Sequence, residues 1–183
     1  MNKLLGTYAN STDNLFPCLK PHSNLVSLDF SYQIISLEDA KAIGKVLADF
    51  RQVRELKLQA AGLGNQTIKE IADGLMRAKQ LEILNLENNP GMAAKVSSVI
   101  YNLAFSPKIR HINLSHLGSS NADVAEACMK LIKISGAIEV LNLRNTKVEA
   151  HLTEDFFRAL GENKTLKYLN MDTTTAVTNA TSL

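Results

Sequence analysis

Charge of one sign is what this 183-residue chain most lacks: 20 basic residues stand against 18 acidic ones, a formal net charge of +2 scattered along the sequence. That balance sets up no long-range field to draw a polyanion or an anionic membrane, so neither nucleic acid nor a membrane is expected as a partner. Long hydrophobic runs are missing as well. No stretch approaches the roughly 20 apolar residues that cross a bilayer, and the opening "MNKLLGTYANSTDN" turns polar too early for a secretory leader. Cysteine is scarce: Cys18 and Cys128 lie far apart in apolar surroundings, where a free thiol behaves as a small buried hydrophobe. A reducing, intracellular, cytoplasmic setting is the expectation, with the Asn-x-Ser/Thr sequons at Asn10, Asn65, Asn163 and Asn179 unglycosylated.

Clusters that carry chemistry are absent too. His111 and His116 stand five apart with no Cys, Asp or Glu at ligand spacing, which leaves a metal without its usual three or four ligands. Neither cysteine has a sequence-local base or a Cys-x-x-Cys partner. The stretch "AAGLGNQ" lacks the Lys-Ser/Thr ending of a phosphate loop. The chain is therefore expected to be non-enzymatic, with no catalytic residue, cofactor or metal.

What is present is a repeat. At 45% hydrophobic content the chain can bury one core, and it does so on a fixed template. The segments "LVSLDF" from Leu25, "VRELKL" from Val53, "LEILNL" from Leu81, "IRHINL" from Ile109, "IEVLNL" from Ile138 and "LKYLNM" from Leu166 start 28, 28, 28, 29 and 28 residues apart. Their first, fourth and sixth places are apolar in every copy, the alternation of a strand. A second stripe confirms the period. Ten residues before each strand start stand Leu15, Ile43, Ile71, Val99, Cys128 and Phe156; nine before, Phe16, Gly44, Ala72, Ile100, Met129 and Phe157; six before, Leu19, Leu47, Leu75, Leu103, Ile132 and Leu160. That i, i+1, i+4 spacing is one face of a helix. Each unit thus reads strand, turn, helix, with N-caps predicted at Ser36 to Asp39 and at Asn65 to Thr67. The single extra residue of the 29-residue unit is placed in the loop 117–124.

This pattern resembles the leucine-rich repeat, in its ribonuclease-inhibitor-like subclass with 28-residue units. The resemblance implies an α/β solenoid, a curved horseshoe of about six strand-helix repeats with a parallel β-sheet on the concave face and α-helices on the convex face. It covers nearly the whole chain as a single domain: 1–24 a partial N-terminal repeat with its helix, 25–171 six repeat strands with their helices, and 172–183 a polar tail. One departure stands out. The ninth template place, where the family usually has Asn or Cys bonding the turn backbone, reads Gln33, Ala61, Asn89, Leu117, Thr146 and Thr174. Only Asn89 keeps the rule, so less regular turns are expected. Met1 falls at the fifth place of a preceding repeat and neither end shows a cap, so the expectation is a piece of a longer array, or ends that pair with another chain.

Template places three, five and seven alternate out of the core and are expected on the concave face. Place three reads Ser27, Glu55, Ile83, His111, Val140 and Tyr168; place five Asp29, Lys57, Asn85, Asn113, Asn142 and Asn170; place seven Ser31, Gln59, Glu87, Ser115, Arg144 and Asp172. Over the last four units the third row turns apolar and aromatic beside an unbroken Asn row, a strip roughly 15 Å wide at about 4.8 Å per strand. Such a strip fits a protein partner: Tyr168 as anchor, Ile83 and Val140 as contact area, His111 between them, and Asn85, Asn113, Asn142 and Asn170 as hydrogen-bonding neighbours. The competing explanation is strand propensity for Ile83 and Val140 and the common "LNL" wording for the Asn row. Two further roles stay open: regulation of a small GTPase or similar enzyme, as the likeness to the Ran GTPase-activating protein implies, through Arg144 and Asn145 at the strand-to-turn edge; and a structural segment of a cytoskeletal or axonemal assembly, docking or self-associating through open repeat ends.

Overall fold

The computed structural model describes residues 3–5, 24–118 and 122–172. Seven strands of three residues each form one parallel sheet in chain order: β1 (Lys3–Leu5), β2 (Ser27–Asp29), β3 (Glu55–Lys57), β4 (Ile83–Asn85), β5 (His111–Asn113), β6 (Val140–Asn142) and β7 (Tyr168–Asn170). Between them run α1 (Leu37–Asp49), α2 (Asn65–Arg77), α3 (Ala93–Leu103), α4 (Ala122–Ile134) and α5 (Glu154–Glu162), with 3-10 turns at Pro90–Met92 and Val148–His151. Parallel neighbours need a crossover, and from β2 to β7 each crossover is the unit's own helix, so sheet and helices form two layers. This is the α/β solenoid, sheet concave and helices convex.

The core lies between the layers and is made of the two stripes. Of the strand template, all three apolar residues are buried in each of the five units starting at Leu25, Val53, Leu81, Ile109 and Ile138, while Leu166, Leu169 and Met171 of the last are partly buried. From the helices, Ile43, Ile71, Val99, Cys128 and Phe156 fill the space behind the strands. Burial in that apolar layer pushes the Cys128 thiol up to about 12, which leaves it a packing residue. Leu15, Phe16, Leu19 and Cys18 fall outside the described residues. Phe157 departs from the stripe and is exposed.

Several local expectations meet the structure differently. The 28-residue spacing puts Met1 at the fifth place of a preceding strand; β1 instead pairs Lys3 with Ser27, an offset of 24 residues, which puts Lys3 at the third template place. The cap of α1 is as expected, a reciprocal box in which Ser36 Oγ accepts from Asp39 N–H at 3.1 Å and Asp39 Oδ2 accepts from Ser36 N–H at 3.1 Å. For α2 the cap is Gly64, not Asn65, and Thr67 Oγ1 accepts from Gly64 N–H at 2.8 Å. The extra residue falls between His116, still in register with its neighbours, and Ala122, where α4 begins.

The turns are regular, contrary to the expectation drawn from the missing Asn ladder. At template place eight Tyr32, Ala60, Asn88, His116 and Asn145 all adopt left-handed backbone, φ between 54° and 63° for four of them and 50° for Ala60. Each of their N–H groups donates to the place-seven carbonyl of the next unit: Tyr32 to Gln59, Ala60 to Glu87, Asn88 to Ser115, His116 to Arg144 and Asn145 to Asp172, at 2.7 to 2.9 Å. Backbone hydrogen bonds between units therefore do what a side-chain ladder does elsewhere. Among the described ninth-place residues only Asn89 adds a side-chain version between units. Fully buried, it accepts from Ala61 N–H and Leu63 N–H and donates to the carbonyls of Leu58, Leu86 and Glu87.

Candidate functional site

The in-register sheet brings Ile83, His111, Val140 and Tyr168 side by side on β4 to β7, with Asn85, Asn113, Asn142 and Asn170 in the adjacent row. Ile83, His111 and Val140 are half-buried and Tyr168 is 52% exposed. The central residue of each strand points the other way, into the core, as period-two alternation requires.

The two halves of this face differ in how far their polar groups are already satisfied. On β2 and β3 the side chains bond one another: Ser27 Oγ donates to Glu55 Oε2 at 2.5 Å and Lys57 Nζ pairs with Glu55 Oε1 at 2.8 Å. That hydrogen bond to Glu55 holds the Lys57 ammonium above its ordinary pKa, against the smaller opposing effect of burial. On β4 to β7 the row offers apolar surface, and the His111 ring makes no hydrogen bond among the described residues.

The Asn row is only half available. Each Oδ1 accepts the backbone N–H two residues on, from Asn85 to Glu87, Asn113 to Ser115, Asn142 to Arg144 and Asn170 to Asp172, at 2.9 to 3.1 Å; Asp29 does the same for Ser31. This is an Asx turn closing the strand, a structural duty that the "LNL" wording signals. The Nδ2 groups differ. Asn113 gives its own to Glu87 Oε2 at 3.0 Å and Asn170 to Tyr168 Oη at 3.3 Å. Those of Asn85 and Asn142 have no partner among the described residues. Two residues expected to face out are instead buried, Ser27 under the Glu55 carboxylate and Ser115 through its bond to Asn113 Oδ1.

At the strand-to-turn edge, Asn145 Nδ2 lies 3.2 Å from His116 Nδ1, and the Nε of Arg144 makes no hydrogen bond, 3.9 Å from Asp172 Oδ2. Among the described residues no three His, Cys, Asp or Glu side chains gather as metal ligands, and no helix is long and apolar enough to cross a membrane. Asn163, one of the sequons, is bound into the fold: it donates to Ile132 C=O at 2.6 Å and accepts from Thr165 and Leu166 N–H.

With repeat, register and layers in view, the comparisons with known proteins agree. The chain carries a leucine-rich-repeat array of the ribonuclease-inhibitor-like kind. It is 27% identical over 154 residues to the pig (Sus scrofa) ribonuclease inhibitor, covering 84% of this chain and 34% of that one. It is 29% identical over 167 residues to the Dictyostelium discoideum protein CARMIL, covering 88% of this chain and 16% of that one. The array spans about a third of the length of the inhibitor and about a sixth of CARMIL. The C-terminal domain of Caenorhabditis elegans tropomodulin superposes with a TM-score of 0.65 over 83% of this chain and 92% of that domain at 12% identity, a likeness of fold alone. No protein-family model matches the chain.

A second exposed group went unread in the sequence. Met76, Tyr101 and Ile134 are 44%, 41% and 44% exposed on the C-terminal turns of α2, α3 and α4, and Phe105, just beyond the end of α3, is 59% exposed. They stand four, five or eight residues before a strand start, outside the stripe that builds the core, so the repeat's period does not mark them.

Proposed function

We propose that the array binds a protein partner on its concave face, with Ile83, His111, Val140 and Tyr168 as the contact row and Asn85, Asn113, Asn142 and Asn170 alongside. One observation carries the reading: polar side chains on β2 and β3 satisfy one another, whereas β4 to β7 present apolar surface, a free imidazole and two free amides. An apolar centre with unsatisfied polar groups beside it is the composition of a binding surface, since a partner's burial of the apolar row gains free energy and its polar groups meet the amides. The relatives support the class of activity, because the name ribonuclease inhibitor describes a protein that acts on another protein.

Tyr168 is the anchor: large, rigid and half-exposed, it covers much area for little conformational entropy. The test is Tyr168→Ala combined with Val140→Asp, with capture of a partner from native lysate identified by cross-linking mass spectrometry. Capture lost in a double variant that keeps its far-UV circular dichroism supports the reading. A folded double variant that captures the same protein as before overturns it.

A further inference from the structure

The helix side carries a second surface, separate from the concave row. The segments 76–81, 101–110 and 127–138, which close three successive helices, contain Arg77, Lys79, Lys108, Arg110, Lys130 and Lys133 and no acidic residue. In a chain of net charge +2 that is a local concentration of one sign. Arg110 is paired with Glu139 and Lys130 with Glu126. The other four have no ion pair among the described residues. Basic residues near helix C-termini complement the helix dipole, which accounts for their sign. The dipole does not account for the large apolar side chains exposed among them.

Those side chains form a shaped surface. Between the ends of α2 and α3 lies a groove of about 190 Å³, lined by Leu75, Met76, Lys79, Asn102, Leu103 and Phe105 with Ser106. Phe105 stands at its wall and meets Tyr101 edge to face at 5.6 Å between centroids. Lys130 Nζ sits over the Tyr101 ring, 5.2 Å from its centre, a cation–π contact. Ile134, also exposed, stands at the end of the next helix, α4.

We propose that this groove docks an acidic amphipathic segment of a partner protein. The segment seats a bulky apolar side chain against Met76 and Phe105 and directs carboxylates to Lys79 and Lys108, with Arg77 and Lys133 at the rim. Charge complementarity selects the acidic partner, and the recess selects an inserted side chain over a flat anionic surface. The rim sets encounter and salt dependence, while the apolar anchor sets residence.

A fluorescent peptide alternating Asp-Glu pairs with Leu and Phe tests this by anisotropy, beside a peptide with Ala in place of Leu and Phe and vesicles rich in phosphatidylserine. Expected are saturable, salt-sensitive binding of the Leu/Phe peptide and a loss of roughly tenfold or more with Phe105→Ala. A similar loss is expected with Lys79→Glu/Lys108→Glu, and no change with Tyr168→Ala/Val140→Asp. Equal binding of the Ala peptide, insensitivity to Phe105→Ala in a folded variant, or binding only to the vesicles would overturn the proposal. Because the concave variants act as the control, failure here is distinguishable from failure of the concave-face reading.

Discussion

Gly74 of α2 lies so close to Gly44 of α1 that a Cβ built on it would stand 2.2 Å from the Gly44 carbonyl oxygen. The two helices meet backbone to backbone. A Gly→Ala change inside a helix ordinarily gains about 1 kcal/mol, but here the methyl must displace main chain, and overpacking of that kind costs about 1–3 kcal/mol or more. Gly74→Ala is expected to lower unfolding free energy by about 2 kcal/mol in urea titration. Gly161→Ala in α5, where nothing beyond its own stretch of helix lies within 4 Å of the added Cβ, is expected to raise it by about 0.5–1 kcal/mol. The same substitution thus takes opposite signs at two sites.

Asn89→Ala removes five hydrogen bonds at once and leaves two buried amides and the Leu58 and Leu86 carbonyls unpaired. With about 1–3 kcal/mol for each buried group left unsatisfied and partial relaxation, a loss of about 3 kcal/mol is expected. Thr146→Ala, at the same template place, gives up only a bond to the Leu143 carbonyl. Its loss should be near 1 kcal/mol, and denaturation of the two variants side by side tests the ranking.

Asn142→Asp separates the two duties of the Asn row. A carboxylate can accept the Arg144 N–H as the amide does, and Asp29 already plays that part for Ser31. The fold should hold, with thermal midpoint changed little, while the Nδ2–H donors vanish and partner capture weakens. Unimpaired capture by Asn142→Asp would remove the amide from the binding surface without touching the turn.

Glu139 links two units, accepting from Lys167 at 2.9 Å and from Arg110. Lys167 first, then Arg110, hold its carboxyl below the usual carboxylate range. A group whose folded pKa is depressed adds stability above its unfolded value, about 4.3 for Glu, and that contribution is lost as pH falls through the folded value. The stability difference between wild type and Glu139→Gln should therefore be present at neutral pH and vanish in acid. Salt should shrink it as well, since these partners are largely exposed. A difference that persists in acid would contradict this assignment.

The repeat was legible because each unit must bury the same three strand residues, so Leu81, Leu84 and Leu86 state their role by spacing alone. The turn was not. Tyr32 and Ala60 take left-handed backbone although neither type favours it, because the inter-unit hydrogen bonds outweigh a local cost of about 1–2 kcal/mol. The outward-facing row Ile83, Val140 and Tyr168 was readable from alternation, whereas the satisfaction of Glu55 by Ser27 and Lys57 depends on atoms from two strands and a rotamer. Phe105 was overlooked for the opposite reason. It breaks the helix stripe, and a residue outside a pattern carries no periodic signal.

From β3 to β7 the second template place carries a charge, where β2 has the neutral Val26: Arg54 bonds Glu82, and Glu139 bonds both Arg110 and Lys167. Along the sheet the sign alternates, so the array repeats every unit in its core but every second unit in its charge. Excising the 28 residues of one unit, 81–108, would leave the hydrophobic register intact and set Arg54 beside Arg110. Excising two would restore the alternation. The solenoid therefore has a parity, and units are gained or lost without electrical conflict only in pairs.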